Sequence, residues 1–69
     1  MRVLRLGARG APVRRWQFFL IGQGFYSGLA DGDFGPGTDA ATRAFQARWR
    51  LSADGVVGNQ CYGQAMLLG

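Results

Sequence analysis

The stretch DGDFGPGTDAATRAFQ, residues 31–46, begins with two acidic residues among glycines and continues in a pattern typical of a helix. It could hold a metal ion or an acid catalyst, or it could simply turn the chain into the helix. Pro36, directly after Gly35, favours a helix start, because proline is well tolerated in the first helical turn. Asp39 in that turn is stabilised by the helix dipole. The stretch therefore predicts a helix from Pro36 to about residue 49.

Similar signals predict two further helices. Pro12 begins the run PVRRWQFFLIGQG, which ends in glycines, and this indicates a helix over about residues 11–22. A shorter helix is expected over about residues 59–67. No segment shows β alternation, although VLRL and VV could make brief extended contacts. The expected fold is an all-α, compact three-helix domain. A rotation of about 100° per residue defines the inner face of each helix. The inner face of the first helix carries Val13, Trp16, Gln17 and Leu20, flanked by Phe19. That of the second carries Ala41, Thr42, Phe45 and Trp49.

Two large apolar residues fall outside these inner faces. The helical wheel places Phe18 roughly opposite the core face and Ile21 about a quarter turn away, beside Arg14. Loops could fold over both side chains, or the two could form a docking patch for another domain or subunit.

A repeat connects the first stretch to a later one. ADGDFGPGTDAAT begins at Ala30 and ADGVVGNQCYGQA at Ala53, and both contain the frame A-D-G-x-x-G, 23 residues apart. In such turns the Asp side chain accepts hydrogen bonds from backbone N–H groups, and Gly takes a conformation that other residues resist. The stretch is therefore interpreted as one of two Asp-Gly turn-to-helix repeats. The turn does not explain Asp33, whose counterpart is Val56.

Length and charge limit the functions that this chain can have. Sixty-nine residues make one domain with a small core, and the eight Arg and four Asp residues give a formal net charge of +4. Positive charge favours anionic partners such as nucleic acid, acidic lipid surfaces or carboxylate-bearing cell-wall polymers. No apolar run approaches the roughly 20 residues of a membrane span. The N-terminus lacks a signal peptide, so a native Met1 would place the start of the chain in the cytoplasm.

The residue types give little support to catalysis or metal binding. Glycoside hydrolysis needs two carboxyl groups across the scissile bond, but of Asp31, Asp33 and Asp54 two are explained by the turns, and only Asp33 of these three is left. A calcium loop needs a bidentate Glu, and the chain contains no Glu. Because there is no His, Cys61 has no base to activate it, and zinc sites of the familiar kinds are excluded. The sequence predicts a noncatalytic domain without metal or cofactor.

Nucleic-acid binding is the alternative prediction. Three short helices with eight Arg residues could form a small helix-turn-helix-like module. The Arg residues are spread along the chain, however, and the third predicted helix, NQCYGQAMLL, has no positive charge. A recognition helix without Arg or Lys makes few phosphate contacts, so nucleic acid is not the expected partner.

Three linked motifs resemble a known family. They are LRLGARGAPVRRWQ at residues 4–17, GFYSGLADGDFGPGTDAATRAFQARWRL at 24–51 and ADGVVGNQCYGQAM at 53–66. In this order they resemble the small three-helix peptidoglycan-binding domain of bacterial and phage cell-wall hydrolases. The resemblance implies that residues 1–69 form a single peptidoglycan-binding module of a longer hydrolase, either a phage endolysin or a bacterial autolysin. It implies action in the cell wall or periplasm.

The chain departs from the family pattern at several positions. Trp16 replaces the usual Leu, Thr42 stands where a branched apolar residue is common, and Arg50 where Gly is common, so the second helix should lack its usual C-cap or run longer. Phe18 and Ile21 replace polar residues, which favours their docking to the linked catalytic domain.

A peptidoglycan-binding surface would combine aromatic platforms with hydrogen-bond donors for stem-peptide carboxylates. Trp49 could instead cover the core against Leu51, Tyr62 is expected to be accessible, and Asp33 could be solvated or face the ligand. Gln17 and Gln46 are expected to hold loop backbone rather than ligand. The candidate ligand-binding residues are Tyr26, Trp49 and Tyr62 for stacking, Arg43 and Arg48 for carboxylates, and Asp33.

Overall fold

The computed structural model describes residues 2–68; Met1 and Gly69, the ends of the predicted domain, lie outside the described residues. Within that range the chain forms three helices, α1 (Ala11–Gly22), α2 (Pro36–Arg48) and α3 (Asn59–Leu68). The predicted helix ends differ from these by at most one residue. The prediction of an all-α, three-helix domain is confirmed.

Proline and glycine set the starts of α1 and α2. Each helix has Pro in its first turn and Gly at the residue before the helix, Gly10 for α1 and Gly35 for α2. The missing N–H of Pro costs nothing there, because the first N–H groups of a helix have no intrahelical acceptor. Asp39 lies in the first turn of α2, as expected from the helix dipole.

The end of α1 is a Schellman motif, in which two N–H groups fold back onto the last carbonyls. The N–H of Gly24 donates to the carbonyl of Ile21 at 3.0 Å, and the N–H of Phe25 donates to that of Leu20 at 2.9 Å. Gly24 has a φ of 84°, which glycine adopts without steric cost.

The end of α2 has the same geometry with Arg50 in place of the glycine. The N–H of Arg50 donates to the carbonyl of Ala47 at 3.2 Å, and the N–H of Leu51 to that of Gln46 at 2.8 Å. Arg50 has a φ of 59°. The expectation that α2 would lose its C-cap or run longer was wrong, because Arg50 itself adopts the left-handed conformation and keeps the motif.

Arg50→Gly is expected to raise the free energy of unfolding by about 0.5–1 kcal/mol, because it removes the Cβ from a left-handed position. Ala47→Gly, a few residues earlier in α2, should instead lower it by about 1 kcal/mol, since Gly disfavours regular helix. Urea denaturation followed by circular dichroism measures both. A loss of stability in Arg50→Gly similar to that in Ala47→Gly would contradict the assigned cap.

An aromatic cluster around Phe45 fills the core between α1 and α2. The ring of Phe45 meets those of Trp16, Phe19 and Phe25 edge-to-face, with centroids 5.4, 5.5 and 5.6 Å apart. Such pairs add to the stabilisation that comes from burying apolar surface. The buried apolar residues are Leu4, Val13, Trp16, Leu20, Phe34, Ala41, Phe45, Val57 and Cys61.

The two departures Trp16 and Thr42 contact each other. The indole N–H of Trp16 donates to the hydroxyl of Thr42 at 3.0 Å, and that hydroxyl donates to the carbonyl of Thr38 at 2.8 Å. A larger indole on α1 is therefore matched by a small hydroxyl on α2, and both buried polar groups are satisfied.

The N-terminal segment crosses both Asp-Gly turns before α1 begins. Leu4 exchanges backbone hydrogen bonds with Val57 of the second turn at 3.1 and 2.7 Å. Gly10 donates to the carbonyl of Gly32 in the first turn at 2.9 Å, and Phe34 donates to Ala8 at 2.9 Å. The expected brief extended contact between VLRL and VV is thus present as an isolated bridge.

Candidate functional site

The first Asp-Gly turn is held by the buried side chain of Gln17 from α1. Its amide nitrogen lies 3.1 Å from the Asp31 carboxylate, 2.9 Å from the Asp33 carbonyl and 2.9 Å from the Thr38 hydroxyl, and its amide oxygen accepts the Gly32 N–H at 2.8 Å. Asp31 also accepts the N–H of Asp33 at 3.0 Å. Gln17 therefore serves the turn rather than a ligand.

The second turn is held in the same way by Gln46 from α2. Its amide nitrogen lies 3.1 Å from the Asp54 carboxylate, 2.9 Å from the Val56 carbonyl and 3.2 Å from the Cys61 sulfur. Its amide oxygen accepts the N–H of Gly55 at 2.9 Å. Cys61 is buried, and this burial raises the pKa of its thiol, so the thiol stays protonated at neutral pH.

Hydrogen bonds also hold the carboxyl groups of the turns in their charged form. The pKa of Asp31 is lowered chiefly by the N–H of Asp33, and that of Asp54 chiefly by the N–H of Val56. A carboxyl pKa lower in the folded than in the unfolded state stabilises the fold above the unfolded value of about 4. This stabilisation is lost as the pH falls through the folded pKa.

The melting temperature is therefore expected to stay level near neutral pH and to fall on acidification below about pH 4. Asp31→Asn combined with Asp54→Asn keeps an acceptor oxygen in each turn but removes the titration, so the acid dependence should flatten. Thermal melts of both proteins over that range measure it. An acid dependence as steep in the double variant as in the wild type would contradict this assignment.

Two of the candidate polar residues are engaged in ion pairs within the chain. Asp33, which the turn did not explain, lies 3.2 Å from the Arg9 guanidinium on the surface. Arg43 donates to the Asp39 carboxylate at 3.1 Å and to the carbonyl of Ala53 at 3.1 Å. Arg43 thus ties α2 to the second turn.

Two other candidates lie together at the end of α2. The Arg48 guanidinium is 4.5 Å from the centroid of the Trp49 ring, within the range of a cation–π contact. Trp49 is half-buried and packs against the core, as does Leu51. Its indole N–H is buried and has no acceptor among residues 2–68. This placement agrees with the interpretation of Trp49 as a cover over the core.

Tyr26 lies on a separate surface beside the N-terminal part of α2. Its hydroxyl donates to the Leu29 carbonyl at 2.9 Å, and the residue lines a shallow depression with Gly37, Ala40 and Ala44. The small side chains leave the depression open to solvent.

Tyr62 lines a groove between α1 and α3 with a volume of about 440 Å³. The prediction that it is accessible was only partly right, since Tyr62 is half-buried. Its ring packs edge-on against Trp16, with centroids 6.2 Å apart, and its hydroxyl donates to the Arg2 carbonyl. This burial raises the pKa of the phenol, so Tyr62 is neutral at physiological pH.

The groove brings Tyr62 together with residues that sequence reasoning did not select. Phe19 and Arg15 line it from α1, Met66 lines it from α3, and Arg2 lines it from the N-terminal segment. The spacing offered a signal, because Arg15–Phe19 and Tyr62–Met66 are both i,i+4 pairs and so share a helix face. None of the other five candidate residues lines this groove within the described part of the chain.

Residues 2–68 contain no group of three or more His, Cys, Asp or Glu side chains placed to hold a metal ion. Over the same range no helix is long and apolar enough to cross a membrane.

Comparison with known proteins places this fold. The model of the PG_binding_1 family, the peptidoglycan binding domain, matches residues 9–64. The chain belongs to this family. It is therefore the noncatalytic binding module of the kind that hydrolases carry, in agreement with the resemblance in its three motifs.

Similar proteins include a spore cortex-lytic enzyme of Bacillus cereus, 44% identical over 83% of this chain and 22% of the relative. The N-acetylmuramoyl-L-alanine amidase CwlM of Mycobacterium tuberculosis is 43% identical over 78% of this chain and 16% of the relative. Among solved structures, the SleB N-terminal domain has a TM-score of 0.93 at 37% identity, covering 97% of this chain and 92% of that one. The chain spans about a fifth of the curated relatives it matches.

Proposed function

We propose that this chain binds bacterial peptidoglycan and thereby keeps a linked cell-wall hydrolase close to its substrate. The family match over residues 9–64 carries this proposal. Two of the matched relatives are named as a spore cortex-lytic enzyme and an amidase, and in each the matching region is a small part of a longer protein. A binding module raises the local concentration of substrate around a tethered enzyme. The expected site of action is the cell wall or periplasm, for a phage endolysin or a bacterial autolysin alike.

Among the six candidate residues, we propose Tyr62 as the principal ligand contact, because it lines the groove between α1 and α3. Tyr26 lies on a different surface and offers a platform for sugar stacking. For the remaining four candidates, ligand binding stays a prediction, because each already contacts another residue of the chain. Of these four, Arg43 is the one to test for contact with a stem-peptide carboxylate. Those other residues are Asp33, Arg43, Arg48 and Trp49.

We further propose that Phe18 and Ile21 dock against the linked catalytic domain. Phe18 is 60% exposed and Ile21 39%, so no loop of the described chain covers them fully. Phe18→Ser should leave the isolated domain as stable as the wild type and more soluble. Slower amide hydrogen exchange in α1 of the full-length hydrolase than in the isolated domain would support docking. Exchange at the same rate in both proteins would contradict it.

A pull-down separates peptidoglycan from the nucleic-acid alternative. Purified, DNA-free sacculi and double-stranded DNA are offered to the chain at matched salt. Retention on sacculi is expected, and retention on DNA alone would contradict the proposal in favour of the helix-turn-helix alternative. Tyr62→Ala should weaken sacculus binding while Tyr62→Phe keeps it, since the hydroxyl is already bonded to Arg2. Circular dichroism checks that both variants are folded, and Arg43→Ala tests the second predicted contact.

A further inference from the structure

The groove between α1 and α3 combines apolar walls with positive charge. Phe19, Tyr62 and Met66 contribute apolar surface, and Arg2 and Arg15 are its charged residues. The ion pairs found within residues 2–68 use Arg9 and Arg43, so the two groove arginines have no acidic partner in that range. All four Asp residues lie in the segment 31–54, at the two turns and the start of α2.

The aromatic donors of the groove are already used inside the fold. The Tyr62 hydroxyl donates to the Arg2 carbonyl, and the Trp16 indole N–H donates to Thr42 at 3.0 Å. Sugar recognition depends on hydrogen bonds to hydroxyl and acetamido groups, and these walls have few free polar atoms to supply them. The donors that remain are guanidinium groups, which bind carboxylates most strongly.

We infer that this groove binds the free carboxylate end of a peptidoglycan stem peptide rather than the glycan strand. The inference rests on the proposed function. A stem ending in D-alanine presents a methyl group, which the walls formed by Phe19 and Met66 can bury, next to a carboxylate, which Arg15 and Arg2 can pair with. In a cross-link formed from such a stem, an amine of the neighbouring stem attacks the carbonyl of the penultimate D-alanine, a new amide forms there, and the terminal D-alanine leaves with its carboxylate. The donor stem then has no free C-terminal carboxylate. The domain therefore prefers stems that are not donors in cross-links.

Two peptides test the chemistry. An N-acetylated stem pentapeptide ending in D-Ala-D-Ala is titrated as the free acid and as the C-terminal amide, with chemical shifts of the domain as the readout. The acid should bind at least about tenfold more tightly, the effect expected from a charge-assisted contact. Equal affinity for the acid and the amide would overturn the inference.

Two adjacent arginines on α1 provide a matched pair of variants. Arg15 lines the groove, whereas Arg14 lies on a different surface beside the first turn. Arg15→Gln should weaken binding of the free acid about tenfold, and Arg14→Gln, with the same loss of charge, should change it less than about twofold. Equal losses in both variants would show general electrostatic attraction and overturn the inference.

Sacculi separate this inference from the proposed function. Intact sacculi and sacculi stripped of their stems by an amidase are offered to the wild-type chain. Binding to intact but not stripped sacculi is expected. Equal binding to both would overturn the stem-peptide inference and leave peptidoglycan binding standing, whereas binding to neither would contradict the proposed function itself.

Discussion

Gln46→Ala is expected to lower the free energy of unfolding by about 3–5 kcal/mol. The substitution leaves the buried Gly55 N–H without its acceptor, and it leaves the Val56 carbonyl with only the weak donor of the Cys61 thiol, 3.6 Å away. Each buried polar group left unpaired costs about 1–3 kcal/mol, and the lost side chain also leaves a cavity. A domain of this size has a total stability of about 3–10 kcal/mol, so most of it would be lost. Urea denaturation followed by far-ultraviolet circular dichroism measures the change.

Two variants control this experiment. Gln60→Ala removes an exposed Gln at the start of α3 and should change the stability by less than about 0.5 kcal/mol. Gln46→Glu keeps the shape and can still accept from Gly55, but its ionised carboxylate faces the Asp54 carboxylate and the Val56 carbonyl instead of donating to them. It should destabilise the fold, less so at acid pH. A mild effect of Gln46→Ala, comparable to that of Gln60→Ala, would show that the second turn does not depend on Gln46.

Proline and glycine predicted the starts of the helices well, because both residues constrain the backbone at their own positions. A proline that follows Gly10–Ala11 or Gly35 constrains the backbone whatever surrounds it, and α1 and α2 begin where it indicates. The end of α2 was predicted less well. Arg50 has a left-handed conformation that its own identity disfavours, and the fold imposes it through the hydrogen bond from Leu51 to Gln46.

The hydrogen bonds by which Gln17 and Gln46 hold the two turns could be predicted from the sequence only in part. Asp31 and Asp54 lie 23 residues apart, whereas Gln17 and Gln46 lie 29 apart, so the sequence repeat does not extend into the helices that supply the glutamines. The sequence indicates that the two Gln side-chain amides bind backbone groups of a loop. Which loop each amide binds depends on how its helix packs against the turn that follows it.

The groove could not be assembled from the sequence because it joins distant segments. Arg2 and Tyr62 lie 60 residues apart, and each helix face by itself resembles an ordinary amphipathic surface. Apart from Asp33, the candidate residues were selected by chemical type, aromatic or cationic. Both arginines so selected, Arg43 and Arg48, have contacts within the chain. That Arg2 and Arg15 line one groove could be recognised only once the three segments were placed together.

Gly55→Ala is expected to lower the free energy of unfolding by about 1–3 kcal/mol. Gly55 has a φ of 75°, where an L side chain is strained by about 1–2 kcal/mol. An added Cβ would also overlap the Asp39 carboxylate and lie 3.1 Å from the Arg43 Nε. The Asp39–Arg43 ion pair within α2 would therefore have to move, together with the hydrogen bond from Arg43 to the Ala53 carbonyl. Thermal and urea denaturation of the variant measure the loss.

Gly63→Ala is the matched control and should change stability in the opposite direction. Gly63 lies inside α3, and a Cβ there meets no atom within 4 Å apart from the backbone of the helix itself. Alanine favours helix over glycine by about 1 kcal/mol, so this variant should be more stable than the wild type. Because both variants make the same Gly-to-Ala change, a difference in their stability comes from the backbone conformation at each position. Similar effects of the two substitutions would contradict the assignment of Gly55 as a residue that must be glycine.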